Sequence, residues 1–350
     1  MEMLNIGGRV IGPNMPPYTI AEIGSNHNGD MELCRRIIDA AVECGADAVK
    51  FQSWSKKSLV SKAEFARYTE YSDKKRHFGS LEAMVEKYQL TRDQHQEIAV
   101  YCRDKGIPFL SSAFSPEEID LLESLGVLAH KIASMDINHH TLLEYAAGTG
   151  KPIILSTGMS TLSEIGTAVD VLKSGGAKHI ALLHCVSVYP PKYEDINLRN
   201  ISMLQQAFDV PVGFSDHTIG TAIPLAAIAL GACLIEKHFT IHKELEGWDH
   251  WISADPEELR TIVKEGLAIF TSLGSSVRRV NRAEMDKRKV FRRCLIAKKN
   301  LLKGDTLKED DVDFKRPGTG IHPDELRYVV GRILARDVPE ESELQWSDFV

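Results

Sequence analysis

Two lysines lie inside short apolar runs of the chain, Lys50 in DAVKFQS and Lys131 in AHKIAS. A buried ammonium group is costly unless it is paired, so each could face an acid close by. Two such lysines, with Ser134, Ser156 and Ser215 at the ends of similar runs, also suit a dianion. Lysine supplies a point charge to a phosphate or carboxylate, while hydroxyls and loop amides satisfy the remaining oxygens. Two histidines, His217 and His238, end two further runs of the same kind. A lone histidine there is more often a hydrogen-bonding residue. Two that converge can coordinate a divalent ion and leave positions open for water and substrate. Carboxylates such as Glu22 and Asp249 would favour Mn²⁺ or Mg²⁺ over a closed zinc site. His27, His184 and His250 are lesser candidates.

These residues need a scaffold that gathers strand ends. Eight β-branched, apolar runs, at 18–25, 48–54, 108–114, 130–136, 152–159, 179–188, 211–217 and 234–240, alternate with helical-period segments. The helices include 31–44, 116–125, 162–174, 222–230 and 256–273, several with cap-like starts such as Ser115-Pro116 and Ser160. The pattern predicts an α/β fold, a closed (β/α)₈ TIM barrel, in which function collects at the C-terminal strand ends. A doubly wound open sheet is the alternative, but no G-x-G-x-x-G fingerprint is present. Strand alternation puts Lys50 with Gln52, Ser215 with His217, and Glu236 with His238 on common faces. It fails between Lys131 and Ser134, so that strand must end or bulge between them.

Residues 1–17, rich in Gly and Pro, suggest a hairpin or lid, and the barrel is expected over 18–274. The long polar interval 55–91 is expected to fold over the active face. A basic stretch at 275–290 suggests a charged linker helix, and 291–350 a small, turn-rich, mainly β module.

Composition sets outer limits. The chain has 350 residues, 43% hydrophobic and 26% charged, with a formal net charge of −7. Disorder is excluded by this balance, and an acidic chain argues against nonspecific nucleic-acid binding. No apolar run is long enough to span a membrane, and the start, MEMLNIGGRV, shows no secretory signal. Six cysteines without C-x-x-C spacing read as buried thiols in a reducing, cytoplasmic setting.

Seven ordered motifs carry a resemblance: 21–29 (AEIGSNHNG), 49–52 (VKFQ), 131–134 (KIAS), 155–159 (LSTGM), 183–185 (LHC), 213–218 (GFSDHT) and 236–240 (EKHFT). Together they resemble the sialic acid synthase family, from about residue 18 to the C-terminus. The tail, with 315–318 (KRPG), is similar to the antifreeze-like SAF domain that closes these enzymes.

The resemblance implies a transferase that condenses phosphoenolpyruvate with an open-chain N-acetylated amino hexose, giving a nine-carbon 2-keto acid and phosphate. It implies that Lys50, Lys131, Ser134, Ser156 and Ser215 hold phosphoenolpyruvate and that Glu22 is the catalytic carboxylate. His217 and His238 would ligate Mn²⁺, with Mg²⁺ or Co²⁺ as substitutes. Gln52, Asp136, Ser187, Tyr189 and Asp249 would face the acceptor, and Arg316 would reach the opposite subunit of a domain-swapped homodimer. Three positions depart from the N-acetylneuraminate pattern: Ser187 for Asn, Asp136 for Glu, and Trp248 for Pro. They leave both N-acetylmannosamine and a 2,4-diacetamido-2,4,6-trideoxyhexose open as acceptors, with a slight lean to the second. A 3-deoxy-ulosonate synthase taking a phosphorylated aldose, or a noncatalytic carbohydrate-binding protein, are the rival readings.

Overall fold

The computed structural model describes residues 2–70, 72–73, 76–77 and 79–350. Eight parallel strands close into one barrel: β1 (Tyr18–Glu22), β2 (Ala48–Ser53), β3 (Phe109–Ala113), β4 (His130–Ile132), β5 (Ile153–Ser156), β6 (Ile180–Cys185), β7 (Val212–Asp216) and β8 (Leu234–His238). Each pairs with the next in sequence, and β8 pairs with β1. Every strand residue except Gln52 is buried, as expected where helices cover the outside and side chains fill the inside. All eight expected strands are present, each shorter than its apolar run. The strand expected over 130–136 stops at Ile132, and a 3₁₀ turn, Ser134–Asp136, supplies the break that alternation requires.

Local chemistry sets the helix ends. In Pro116–Leu125 the Ser115 side chain accepts from the Glu118 amide, proline opens the first turn, and Gly126 closes the helix at φ 77°. Leu162–Ser174 is capped by Thr161 rather than by Ser160, whose hydroxyl turns back to the Gly158 carbonyl.

The N-terminal hairpin forms between Leu4–Ile6 and Arg9–Ile11, but it is not a lid over the strand ends. Leu4, Ile6 and Ile11 pack with Ile20, Ala48, Leu110, Ile154 and Leu234, residues at or near the starts of the strands. The hairpin therefore floors the N-terminal end of the barrel. Met1 lies outside the described residues, as do 71, 74, 75 and 78 of the 55–91 interval. That interval carries the helices Lys56–Leu59, Lys62–Arg67 and Leu81–Tyr88 and a short antiparallel pair. Phe65, Met84, Val85 and Tyr88 form a satellite core with Trp54 and Phe114, which follow β2 and β3. The interval thus buttresses the C-terminal end of the barrel.

The chain divides into two compact units, Met1–Gly274 and Ser275–Val350. The second begins with a charged helix, Arg282–Phe291, and contains an antiparallel pair, β9 (Cys294–Ala297) with β10 (Val312–Lys315). Its own core gathers Leu295, Leu307, Val329, Leu344 and their neighbours. All six cysteines are buried and unbridged. Among the described residues, no helix is long and apolar enough to cross a membrane.

Candidate active site

The C-terminal strand ends enclose a cavity of about 460 Å³, within the range of small-molecule sites. Of the residues expected to act, Glu22, Lys50, Gln52, Lys131, Ser134, Ser156, Ser187, Tyr189, Ser215, His217, His238 and Asp249 all line it. Asp136 does not. The 3₁₀ turn changes the side-chain period from two to three, so Ser134 and Met135 reach the cavity while the Asp136 carboxylate faces His139 at 4.0 Å. Arg316 belongs to the second unit, with its guanidinium 4.8 Å from the centre of the Phe291 ring.

Both lysines are buried and both meet carboxylates. Lys50 Nζ lies 2.5 Å from Glu22 Oε2 and 3.9 Å from Glu236 Oε2, and donates to Ser112 Oγ at 3.3 Å. Lys131 Nζ donates to Ser156 Oγ at 2.6 Å and lies 3.9 Å from Glu236 Oε1. Ser215 Oγ donates to Glu236 at 2.9 Å, and Gln52 Nε2 to Glu22 at 2.8 Å. Acid pairing is therefore what the structure shows: the carboxylates meet a lysine pair that also lines the cavity.

The protonation balance follows from burial. Burial opposes charge on Lys50, but Glu22 and Glu236 outweigh it and hold its pKa above the ordinary value. For Lys131 burial prevails over Glu236, and the pKa is lowered. Burial raises Glu22 to about 7 against the pull of Lys50, with Glu236 adding to the rise. Glu236 is also opposed by burial, but Lys131 and Lys50 bring it below the usual carboxylate range.

His217 and His238 end adjacent strands with ring centres 5.7 Å apart. His217 Nδ1 donates to the Val186 carbonyl at 2.9 Å, which leaves the Nε2 lone pair available. His238 Nδ1 has no hydrogen-bond partner and lies 3.8 Å from Asp249 Oδ2, itself held by Ser25 Oγ at 3.0 Å. Burial, then His238, lowers His217 to about 4; burial, then Lys50, lowers His238 to about 3. Two neutral imidazoles beside carboxylate oxygens fit an open divalent-cation site. Among the described residues no group of three or more His, Cys, Asp or Glu is placed to hold a metal ion, so the two imidazoles would be the site's nucleus.

These shifts predict an acid-sensitive fold. Between pH 6.5 and 4 the unfolded chain protonates both imidazoles while the folded chain does not, so their contribution to stability is full above pH 6.5 and falls as pH drops. Glu22, which takes up a proton in the folded chain from about pH 7 downward, offsets this in part. The loss reaches up to about 1.4 kcal/mol per pH unit for each histidine. Urea unfolding in EDTA at pH 7 and pH 5 checks it; a double His217→Gln/His238→Gln variant should show a shallower loss.

Gly158 follows β5, and its amide donates to Ser134 Oγ at 3.0 Å. A Cβ there would collide with Ser187 Oγ and lie 2.8 Å from Ser134 Oγ and 3.0 Å from Cys185 Sγ. Gly158→Ala should therefore displace the serine cluster and lower kcat/KM for the anionic substrate on the order of 10²-fold. Steady-state kinetics beside a thermal melt separate this from loss of fold.

Some of the cavity was not assigned from sequence. Glu236, which bridges the lysines, was placed at a strand end without a role; its alternation with His238 was the available signal. Ser112, which accepts from Lys50, is a further lining residue without an assigned role. Trp54, Leu59, Phe114, Met135, Trp248 and Trp251 form an apolar wall that no local pattern announced.

The NeuB family model matches residues 37–278, and the SAF domain model residues 292–350. The chain belongs to the NeuB family. NeuB membership makes it an enzyme of the nonulosonic acid synthase type, a transferase that forms a carbon–carbon bond. An uncharacterized protein of Methanocaldococcus jannaschii is 42% identical over 350 residues, covering 100% of this chain and 99% of that one. The N,N'-diacetyllegionaminic acid synthase of Legionella pneumophila is 38% identical, covering 96% and 95%. Among solved structures, the N-acetylneuraminic acid synthetase of Leptospira borgpetersenii in complex with citrate is 36% identical, with a TM-score of 0.74 over 82% of this chain and 95% of that one.

Proposed function

We propose that this NeuB enzyme condenses phosphoenolpyruvate with an open-chain 2,4-diacetamido-2,4,6-trideoxyhexose, giving a nine-carbon 2-keto acid of the legionaminate type and free phosphate. The observation that carries the reading is the buried pair Lys50 and Lys131, hydrogen-bonded to Ser112 and Ser156 and lining the same cavity as Trp54, Phe114 and Trp248.

Lys50, Lys131, Ser134, Ser156 and Ser215 bind the carboxylate and phosphate of phosphoenolpyruvate, holding C3 toward the acceptor aldehyde. His217 and His238 would hold a divalent ion, Mn²⁺ in this reading, which when bound supplies Lewis-acid polarisation of that aldehyde. As C3 bonds to the aldehyde carbon, positive character develops at C2. Glu22 lies against Lys50 and accepts the proton of the water that adds there. The resulting tetrahedral carbon collapses by C–O cleavage, and the lysines stabilise the departing phosphate.

The apolar wall supports the choice of acceptor. A C6 methyl and N-acetyl methyls suit Trp54, Phe114 and Trp248, whereas a C6 hydroxymethyl would lose hydration against them. The similarity to a legionaminic acid synthase points the same way. A phosphorylated acceptor is disfavoured because Lys50 and Lys131 are the only lysines or arginines among the described residues that line the cavity. Arg316 and the second unit are read as completing the acceptor site of another copy in a swapped homodimer. Mixing Lys131→Ala with Arg316→Ala protein should then restore activity that neither has alone.

The test is phosphate release from phosphoenolpyruvate, with and without EDTA, across a panel of acceptors, with mass spectrometry of the product. The diacetamido sugar should be preferred to N-acetylmannosamine by about tenfold or more. Turnover confined to phosphorylated aldoses would overturn the reading, as would no release with any acceptor.

A further inference from the structure

Immediately before His217 and His238 the sequence places a second pair, facing away from the cavity, that the reaction does not use. β7 and β8 are registered Ser215 with Glu236 and Asp216 with Lys237. Ser215 and Glu236 face the cavity, as do His217 and His238; Asp216 and Lys237, in between, do not. Lys237 Nζ lies 2.6 Å from Asp216 Oδ2 and also donates to the Thr218 carbonyl at 2.6 Å. The Thr218 amide donates back to Asp216 Oδ1 at 2.9 Å. The ion pair thus grips the backbone on both sides of His217 and the residue preceding His238.

Both side chains are almost fully buried, 1% and 0% exposed. A pair so deeply desolvated is a poor source of stability, because a well-packed apolar replacement is often neutral or stabilising. What it can supply is register. A slip of one residue between the parallel strands would turn the imidazole of the shifted strand out of the cavity. Smaller shifts would change the angle at which the two imidazoles meet. The carbonyl that orients His217 comes from Val186, so the ring is fixed from β6 while its backbone is fixed from β8.

We propose that Asp216 and Lys237 are positioning residues that set the spacing of His217 and His238, and through it the affinity for a divalent cation. The inference rests on the reading of those histidines as cation ligands. Its test uses the full chain and Mn²⁺ alone, titrated by electron paramagnetic resonance of the free ion. Asp216→Leu/Lys237→Met removes the pair while keeping its volume. This variant should melt at or above the wild-type temperature and bind Mn²⁺ at least tenfold more weakly. Asp216→Asn, which keeps the shape but weakens the grip on Lys237, should fall between them.

Affinity within twofold of wild type in a folded double variant would overturn the inference and leave the cation site standing. An unfolded double variant together with unchanged Mn²⁺ affinity in Asp216→Asn would mark the pair as core structure only, and overturn it too. Wild-type protein that binds no Mn²⁺ would instead remove the cation reading itself, and the inference with it.

Discussion

Lys131→Ala should lower kcat/KM by about three orders of magnitude or more while the barrel stays folded. The ammonium is buried at the cavity and hydrogen-bonds Ser156, and among the described residues lining the cavity Lys50 is the only other lysine or arginine. Removing a charge aimed at a departing phosphate in a water-excluded site costs about 4 kcal/mol, or a thousandfold in rate. The effect on stability is smaller. Glu236 loses one partner but keeps Ser215 at 2.9 Å and Lys50 at 3.9 Å, so it is not left as an isolated buried charge. Pairing the change with Glu236→Gln should recover melting temperature without recovering turnover. Phosphate-release kinetics and a thermal melt on the same preparations check both halves; kinetics like wild type would refute the assigned role.

Glu22→Gln should lower kcat by about 10²–10⁴-fold, the range for loss of a positioned general base. The amide keeps the shape and the neighbourhood of Gln52 but cannot take a proton from water. Because burial raises Glu22 to about 7, the wild-type rate should climb with pH up to neutrality, as the carboxylate is freed of its proton. That limb should vanish in Glu22→Gln. The KM for phosphoenolpyruvate should stay level or fall, since a carboxylate next to an anionic substrate has been neutralised. A rate–pH profile with an unchanged acid limb in the variant would assign the titration elsewhere.

The barrel was legible because its signals are local. Each strand is a short apolar run, and Ser115-Pro116 and Gly126 bound a helix by chemistry confined to a few residues. Alternation within β8 placed Glu236 with His238, and the failure of alternation after Lys131 foretold the turn at Ser134. What the sequence concealed depends on distant contacts. That Glu236 sits between two lysines follows from closure of the barrel, which brings β2 and β4 within reach of β8. The apolar wall depends on packing of the 55–91 interval against Trp54 and Phe114. Asp136, assigned to the acceptor by resemblance alone, lies in the turn Ser134–Asp136 and is not among the residues lining the cavity, a placement no local pattern announced.

With Leu4, Ile6 and Ile11 packed across its far end and side chains filling its interior, the barrel is closed from below. In the proposed reaction both substrates would then enter from the same side, and whichever binds nearer the lysines would have to enter first. Slowing of turnover by excess sugar in steady-state kinetics would reveal such a queue.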